Sequence, residues 1–356
     1  MEAAIVPGDG SIMVSLWDAH DSPHVGDATR QSHEVFRSLF INSPEGIVLI
    51  DATGKVEDAN PAFVQMFGYG MEDLIGRSLV DLIVPGSLKR EATATLRKTL
   101  TEGDFLDATT RLRADGREIT VSFVGAPVVV QGCPQGAFAI YRDISERQRV
   151  QNRLADAFID LVETTSRLMG STDPYTDGHQ RRVARLADMV GRRLGLDDDT
   201  LQGIYVGAMM HDIGKLSVPG SILAKPGKLS KEEWNIIRTH PQRGQAILAE
   251  ASLPWPVADM ALHHHERLDG SGYPHGLGAG ALGTEVRILA ACDVVEAMSS
   301  DRPYRPALPM DEVRKVMHGG RGMIFDNNVV EAIIALVDEG HIEPAHSYDV
   351  LTDDRL

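Results

Sequence analysis

Thiols are scarce: the chain of 356 residues has two cysteines, Cys133 and Cys292, far apart and without CxxC spacing. That removes a disulfide framework and a thiolate zinc site. Any metal is left to imidazole and carboxylate. Positive charge is also short, because a formal net charge of −16 is the opposite of what a general nucleic-acid binder needs to neutralise phosphates. DNA is excluded as a partner, and an anionic ligand has to be caught locally. No stretch approaches the roughly eighteen apolar residues of a membrane span, and the opening MEAAIVPGDGSIMVSLWDAHDSPHVGD lacks a basic flank and an apolar run. Residence in the cytoplasm is the expectation. Histidine is missing from the whole stretch between Glu34 and Gly178, whereas ten of the 13 histidines fall from His179 onward. The chain is thereby divided chemically.

A length of 356 residues leaves room for two or three units with ample cores. Residues 1–32 contain Gly, Pro, Asp and Ser without apolar period and read as a mobile leader. From His33 the pattern changes. EVFRSLF predicts a short amphipathic helix, GIVLIDATGKVEDAN a strand, a turn at Thr53-Gly54 and a second strand, and NPAFVQMFGY and MEDLIGRSLVDLI short helices broken at Gly68, Gly70 and Gly76. ATTRLRADGREITVSFVGAPVVV alternates around Asp115-Gly116, a hairpin signal, and GAFAIYRDISERQ closes with another strand.

In this order of elements, through ANPAF, FGY, LIGRSL and AIYRDISERQ, residues 33–146 resemble the PAS sensor family. The resemblance implies a small α+β domain that binds a small ligand or pairs with its twin. The absence of histidine leaves a haem without an obvious ligand here, and GRSLVDLI has no cysteine where the flavin-adduct members need one. A packed core or an unknown small ligand is therefore expected. Residues 147–172 follow as a connecting helix, in which Ile144, Arg147, Gln151, Leu154, Phe158, Leu161, Thr165 and Leu168 recur at steps of three and four. That register fits a homodimer through the PAS domain and this helix, or a single amphipathic helix lying on its own domain.

From Asp173 the pattern is helical with short breaks. Thr176 or Asp177 can cap a helix in which His179 shares a face with Val183, Leu186 and Val190. The apolar helix LQGIYVGAMMHD ends on His211 and Asp212, with Gly214 as its expected stop. Ser230-Lys231-Glu232-Glu233 is a capping box opening a helix that delivers His240, and PVADMALHHHER delivers His263, His264 and His265. Thr284 can cap a helix that places Asp293 on an apolar stripe with Val286, Leu289 and Ala290. A buried aspartate is costly unless paired or bound to metal. Each inward histidine alone reads as a satisfied core residue. As a set, so many nitrogen and oxygen ligands without thiols match iron, manganese or zinc, and the surplus over one ion points to two.

The motifs YTDGHQRRVA, HDIGKLSVPGSILAKPGKLSKEEW, HPQRG, HHERLDGSGYP and RPYRPAL, in that order over residues 173 to about 335, identify a resemblance to the HD-GYP phosphodiesterases of the HD phosphohydrolase superfamily. The fold class implied is multidomain: an N-terminal α+β PAS domain, a connecting helix, and a C-terminal all-α HD-type domain at residues 173–340, with a tail at 341–356. Carried over position by position, the metal ligands are His179, His211, Asp212, His240, His264, His265 and Asp293, with Asp212 bridging two divalent ions. His263 stands outside the matching pair. Members with a third metal have a glutamate where this chain has Tyr175, so two metals are expected, and Glu296 stands where the family often has aspartate.

The resemblance further implies hydrolysis of the bacterial messenger cyclic di-GMP, with linear pGpG or GMP as the product. Two ions about 3.5–4 Å apart can lower the pKa of a bridging water and present hydroxide to phosphorus, so no protein nucleophile is needed. Asp212 and Lys215 carry the catalytic roles, and Lys215, Tyr273, Arg302 and Arg305 the substrate contacts; without the resemblance, Lys215 and both arginines read as surface charge. The glycine-rich segment DGSGYPHGLGAG is a shaped loop, a flexible connector on its residues alone and, by the resemblance, a signature near the catalytic pocket that supports the metal site or meets a protein partner. The alternatives are hydrolysis of another cyclic dinucleotide or nucleotide, and a non-catalytic HD-GYP module signalling through protein contacts.

Overall fold

Strand, turn and strand form where the alternation places them. β1 (Gly46–Asp51) and β2 (Val56–Ala59) pair antiparallel through a turn in which Asp51 Oδ1 accepts the N–H groups of Thr53 and Lys55 at 2.8 and 2.9 Å, while Gly54 takes a φ of 83°. β3 (Asp104–Leu112) and β4 (Glu118–Val130) form the second hairpin, with Gly116 at φ 81°, and β5 (Cys133–Asp143) completes the sheet. The order β2-β1-β5-β4-β3 is antiparallel throughout and puts the last strand in the middle. The computed structural model describes residues 25–130, 132–172, 178–225, 227–301 and 305–344. Within the chain, residues 1–154 and 155–356 form two compact units.

In the first unit, α1 (Val25–Asn42) begins well before His33, so the helical stretch is longer than EVFRSLF and takes in part of the expected leader; residues 1–24 lie outside the described residues. Four short helices follow β2: α2 (Pro61–Phe67), α3 (Met71–Leu74), α4 (Leu79–Ile83) and α5 (Lys89–Thr101). The core joins Val48, Ile50, Leu74, Ile83 and Val121 to an aromatic cluster, in which the ring of Tyr141 lies 5.4 Å from Phe67 and 5.5 Å from Phe123. Asn60 explains the ANPAF motif. Fully buried, it accepts the N–H groups of Ile47 and Phe63 at Oδ1, each at 2.8 Å, and donates from Nδ2 to the carbonyls of Phe40 at 3.0 Å and Glu45 at 2.9 Å. One side chain thereby caps α2 and ties the end of α1 to β1.

α6 (Ser145–Thr172) has two faces, and the predicted register mixes them. Phe158, Ile159, Val162 and Met169 turn into the core of the second unit, whereas Leu154, Leu161 and Leu168, spaced at sevens, are 66%, 63% and 64% exposed. The second unit is helical: α7 (His179–Arg193), α8 (Asp198–Met210), α9 (Gly220–Leu223), α10 (Lys231–Ile237), α11 (His240–Leu248), α12 (Val257–His263), α13 (Thr284–Ser299), α14 (Met310–Gly320) and α15 (Asn327–Asp338). The capping box at Ser230 and Glu233 is formed. Two other caps differ from expectation. Gly178 and Gly283 occupy the N-cap positions of α7 and α13, so Thr284 is the first helical residue; Thr176 and Asp177 lie outside the described residues. No helix among the described residues is long and apolar enough to cross a membrane.

Replacing Asn60 by Ala removes four hydrogen bonds and strands buried backbone groups, so Asn60→Ala should destabilise the first unit by about 2–4 kcal/mol in denaturant melts. A loss below about 0.5 kcal/mol would show that the four bonds do not hold these elements together.

Candidate metal centre

Each site histidine sits where a helix begins or ends, and the helix end fixes its chemistry. His211 follows the last residue of α8 and donates from Nδ1 to the carbonyl of Ala208 at 2.7 Å; His240 opens α11 and donates to Ile237 at 2.8 Å; His264 follows α12 and donates to Ala261 at 2.8 Å. All three bonds run back three residues. They hold the proton on Nδ1 and leave Nε2 with its lone pair directed inward. His179 uses another device: its Nδ1 is tied to the carboxylate of Glu296, one turn beyond Asp293 on α13, and its Nε2 faces Asp293 Oδ1 at 3.2 Å.

Asp212 stands between these rings. Oδ2 is 3.4 Å from His211 Nε2 and 2.6 Å from the ammonium of Lys215, while Oδ1 is 3.3 Å from His240 Nε2 and 3.9 Å from His264 Nε2. Its two oxygens therefore address two different imidazole sets. Ligand atoms of His179, His211 and Asp293 converge within 4.8 Å, as do those of His240, His264 and His265, and those of His211, Asp212 and His264. The donor set, five converging imidazoles with two carboxylates and no thiolate, fits a pair of divalent ions.

Gly214 serves a purpose other than the expected helix stop. It lies in the short 3-10 turn Ile213–Ser217, and a Cβ there would collide with the carbonyl oxygen of His240 and reach within 2.5 Å of the Gly244 nitrogen. Only glycine lets this turn lie on α11, which sets Asp212 against His240.

The loop after α12 is shaped by Glu266, a buried carboxylate that accepts the backbone N–H groups of His275, Gly276 and Leu277 at 2.7, 3.1 and 3.0 Å. The loop thereby holds Tyr273 against His265, rings stacked 4.6 Å apart, with the guanidinium of Arg238 on Tyr273 at 4.9 Å. Sequence reasoning missed Glu266, although a carboxylate right after a run of histidines was a usable signal. Arg182 and Ser300 were missed too; both donate to Glu296, at 2.7 Å each, and Arg182 supplies a counter-charge.

Among the expected substrate contacts, Lys215 lies at the site on Asp212, and Tyr273 lies beside His265. Arg305 donates to the carbonyls of Ala297, Met298 and Pro306 at 2.7, 3.2 and 3.2 Å, which commits its guanidinium to the end of α13. Arg302, like Tyr175, lies outside the described residues. His263 is turned to Asp259 at 2.8 Å and away from the two ligand sets.

Burial opposes charge on His179, but Glu296 and Asp293 outweigh it and raise its pKa to about 9. Burial, reinforced by neighbouring imidazoles, holds His264 well below the usual range, and burial brings His265 down to about 3. Asp212 and Asp293 lie well below the ordinary carboxylate range despite burial; Lys215 and His211 act on the first, His179 on the second.

Compared with known proteins, residues 163–329 match the HD domain family and residues 40–149 match the PAS fold family. The chain thus carries a PAS domain followed by an HD domain. A cyclic di-GMP phosphodiesterase response regulator of Xanthomonas campestris pv. campestris is 37% identical over 54% of this chain and 52% of its own length. A cyclic di-GMP phosphodiesterase of Pseudomonas aeruginosa is 39% identical over 52% of this chain and 44% of its own length. A 3'3'-cGAMP-specific phosphodiesterase of Vibrio cholerae is 34% identical, covering 55% of this chain and 44% of its own length. The chain spans about half the length of these relatives. A solved HDG"Y"P protein from Bdellovibrio bacteriovorus aligns at 18% identity with a TM-score of 0.39 over 45% of this chain and 51% of its own.

A metal-free chain at pH 7 holds His179 as imidazolium, because its pKa is raised above the pH, whereas His264 and His265 are already neutral. Metal needs the neutral ring. Loading at the His179 group should therefore release about one proton at pH 7, and its affinity should rise with pH up to about 9. Calorimetry in two buffers of different ionisation heat reads this release, and Glu296→Gln should diminish it; identical heats in both buffers would refute the assignment.

Proposed function

We propose that the chain is a cytoplasmic, PAS-regulated phosphodiesterase that opens cyclic di-GMP to linear pGpG, with further hydrolysis to GMP as a second step. The observation that carries the reading is Asp212, one buried carboxylate whose two oxygens face two separate histidine sets. Support comes also from the HD domain match and from relatives named as cyclic dinucleotide phosphodiesterases. In this reading His179, His211, Asp212 and Asp293 hold one divalent ion, and Asp212, His240, His264 and His265 hold the other. Iron, manganese or zinc at these positions would supply Lewis acidity toward phosphodiester oxygens and an activated water.

The protein residues then have distinct tasks. Lys215 offsets the Asp212 charge and offers its ammonium to a substrate phosphate. Tyr273, held on His265 by the Glu266-anchored loop, fixes that ring and presents an aromatic face to substrate. Arg302 is assigned to phosphate, and Arg305 supports it by fixing the chain at the end of α13. The anionic bulk of the chain is compatible with an anionic substrate, since these cations and the metals make a local positive site. Because one relative is named as specific for 3'3'-cGAMP, a second cyclic dinucleotide is the competing substrate. A non-catalytic module that docks a protein partner through the loop at Tyr273 is the competing class.

Asp212→Ala should lower turnover of cyclic di-GMP by about a thousandfold or more and reduce the metal content of the purified protein. A panel of cyclic di-GMP and 3'3'-cGAMP on the wild type decides the substrate. Full metal content without cleavage of either would overturn the enzyme reading in favour of the docking module.

We also propose a homodimer formed through α1 and α6. Its support is the exposed Leu154, Leu161 and Leu168 at sevenfold spacing, together with exposed Val35, Phe36 and Leu39 on α1. Leu154→Glu with Leu161→Glu should convert a dimer to a monomer in light scattering; a wild-type monomer, or a dimer unaffected by both changes, refutes it.

A further inference from the structure

Arg111 breaks the apolar rule of the PAS core. It lies on β3 opposite Ile119 of β4, on the face that also carries Val121, Phe123 and Tyr141, and only 4% of it is exposed. The guanidinium carbon sits 5.9 Å from the ring centre of Phe123. Two short hydrogen bonds leave from Nη1, to Thr109 Oγ1 at 2.7 Å and to the Thr110 carbonyl at 2.8 Å, and the buried hydroxyl of Tyr141 is a further polar neighbour of the guanidinium. Nε is buried and has no partner, and among the described residues no carboxylate pairs with this charge.

A guanidinium taken out of water costs several kcal/mol unless a counter-charge is supplied. Two neutral acceptors and one ring face offset only part of that. Elsewhere the chain supplies the missing partner, as Glu296 does for Arg182 and Asp326 for Arg287. The sequence holds 51 Asp and Glu residues, yet none of those among the described residues pairs with Arg111. The bonding is also lopsided. With Nη1 occupied, Nε–H and the neighbouring Nη2–H form the parallel pair of donors that a carboxylate bridges with both oxygens.

We propose that the PAS domain binds a small monocarboxylic acid whose carboxylate seats on the Nε–Nη2 edge of Arg111 and whose apolar body lies among Phe123, Tyr141 and the adjoining core. Monocarboxylate is favoured over phosphate or a diacid by the local charge. The other buried polar side chains of this unit are Asn60, Thr99, Ser145 and the hydroxyl-bearing Tyr141, so Arg111 is its single buried cation among the described residues. The inference stands apart from the phosphodiesterase reading, since binding is measured directly and requires no turnover.

The test uses the full chain in titration calorimetry and thermal melts with acetate, benzoate and 3-phenylpropionate, alongside benzamide as the neutral counterpart of benzoate, and inorganic phosphate. The expected result is binding of at least one carboxylate, no binding of benzamide or phosphate, and a loss of about tenfold or more in affinity in Arg111→Gln. Failure of all three acids, equal binding by Arg111→Gln, or equal binding of benzamide would overturn the proposal. Arg111→Met supplies an independent reading. Relief of an unpaired buried charge should leave the ligand-free melting temperature unchanged or raised, whereas a clear fall would make the guanidinium a structural element and sink the assignment.

Discussion

The second half of the molecule depends on a charge that has no business in a helical core without company. Asp212 is 3% exposed, and an isolated carboxylate at that depth would be protonated or would unfold its surroundings. Here it is ringed by Lys215, His211, His240 and His264. The three histidines each come from a helix terminus, so the ends of α8, α11 and α12 meet at this point. The glycine at 214 is the steric condition for that meeting, because any side chain would push α11 away.

A second layer decides what the ring of ligands can do. Backbone carbonyls three residues back orient three imidazoles, and a carboxylate orients the fourth. The consequence is an asymmetry between the two clusters: carboxylates raise the pKa of His179 to about 9, whereas burial lowers those of His264 and His265. The loop anchored by Glu266 belongs to the same layer, since it is the backbone pinned by that carboxylate that sets Tyr273 on His265. A glycine-rich connector in composition is therefore a fixed support in fact.

In the PAS half, the buried junction of α1, β1 and α2 is held by neutral bonds. Asn60 meets four backbone groups with one side chain and needs no charge to do so. Against that background Arg111 stands out, the single buried cation of this unit among the described residues, with its Nε unpartnered.

Much of this was legible in the sequence. Alternation around Asp115-Gly116 placed a hairpin, the capping box at Ser230 placed a helix start, and the motif order set the PAS and HD halves, because those signals are local and act within a few residues. The histidines and aspartates were legible as a set, since their chemistry is costly in a core unless it is used. What local pattern could not carry was which groups share a contact across the chain: that Glu296 orients His179 across 117 positions, that Glu266 holds the loop, that Arg305 spends its donors on α13, and that the register of α6 divides between a buried and an exposed face. Those are decided by packing, in which the partner of a polar group is whatever the fold brings within hydrogen-bond reach, and sequence distance places no limit on it.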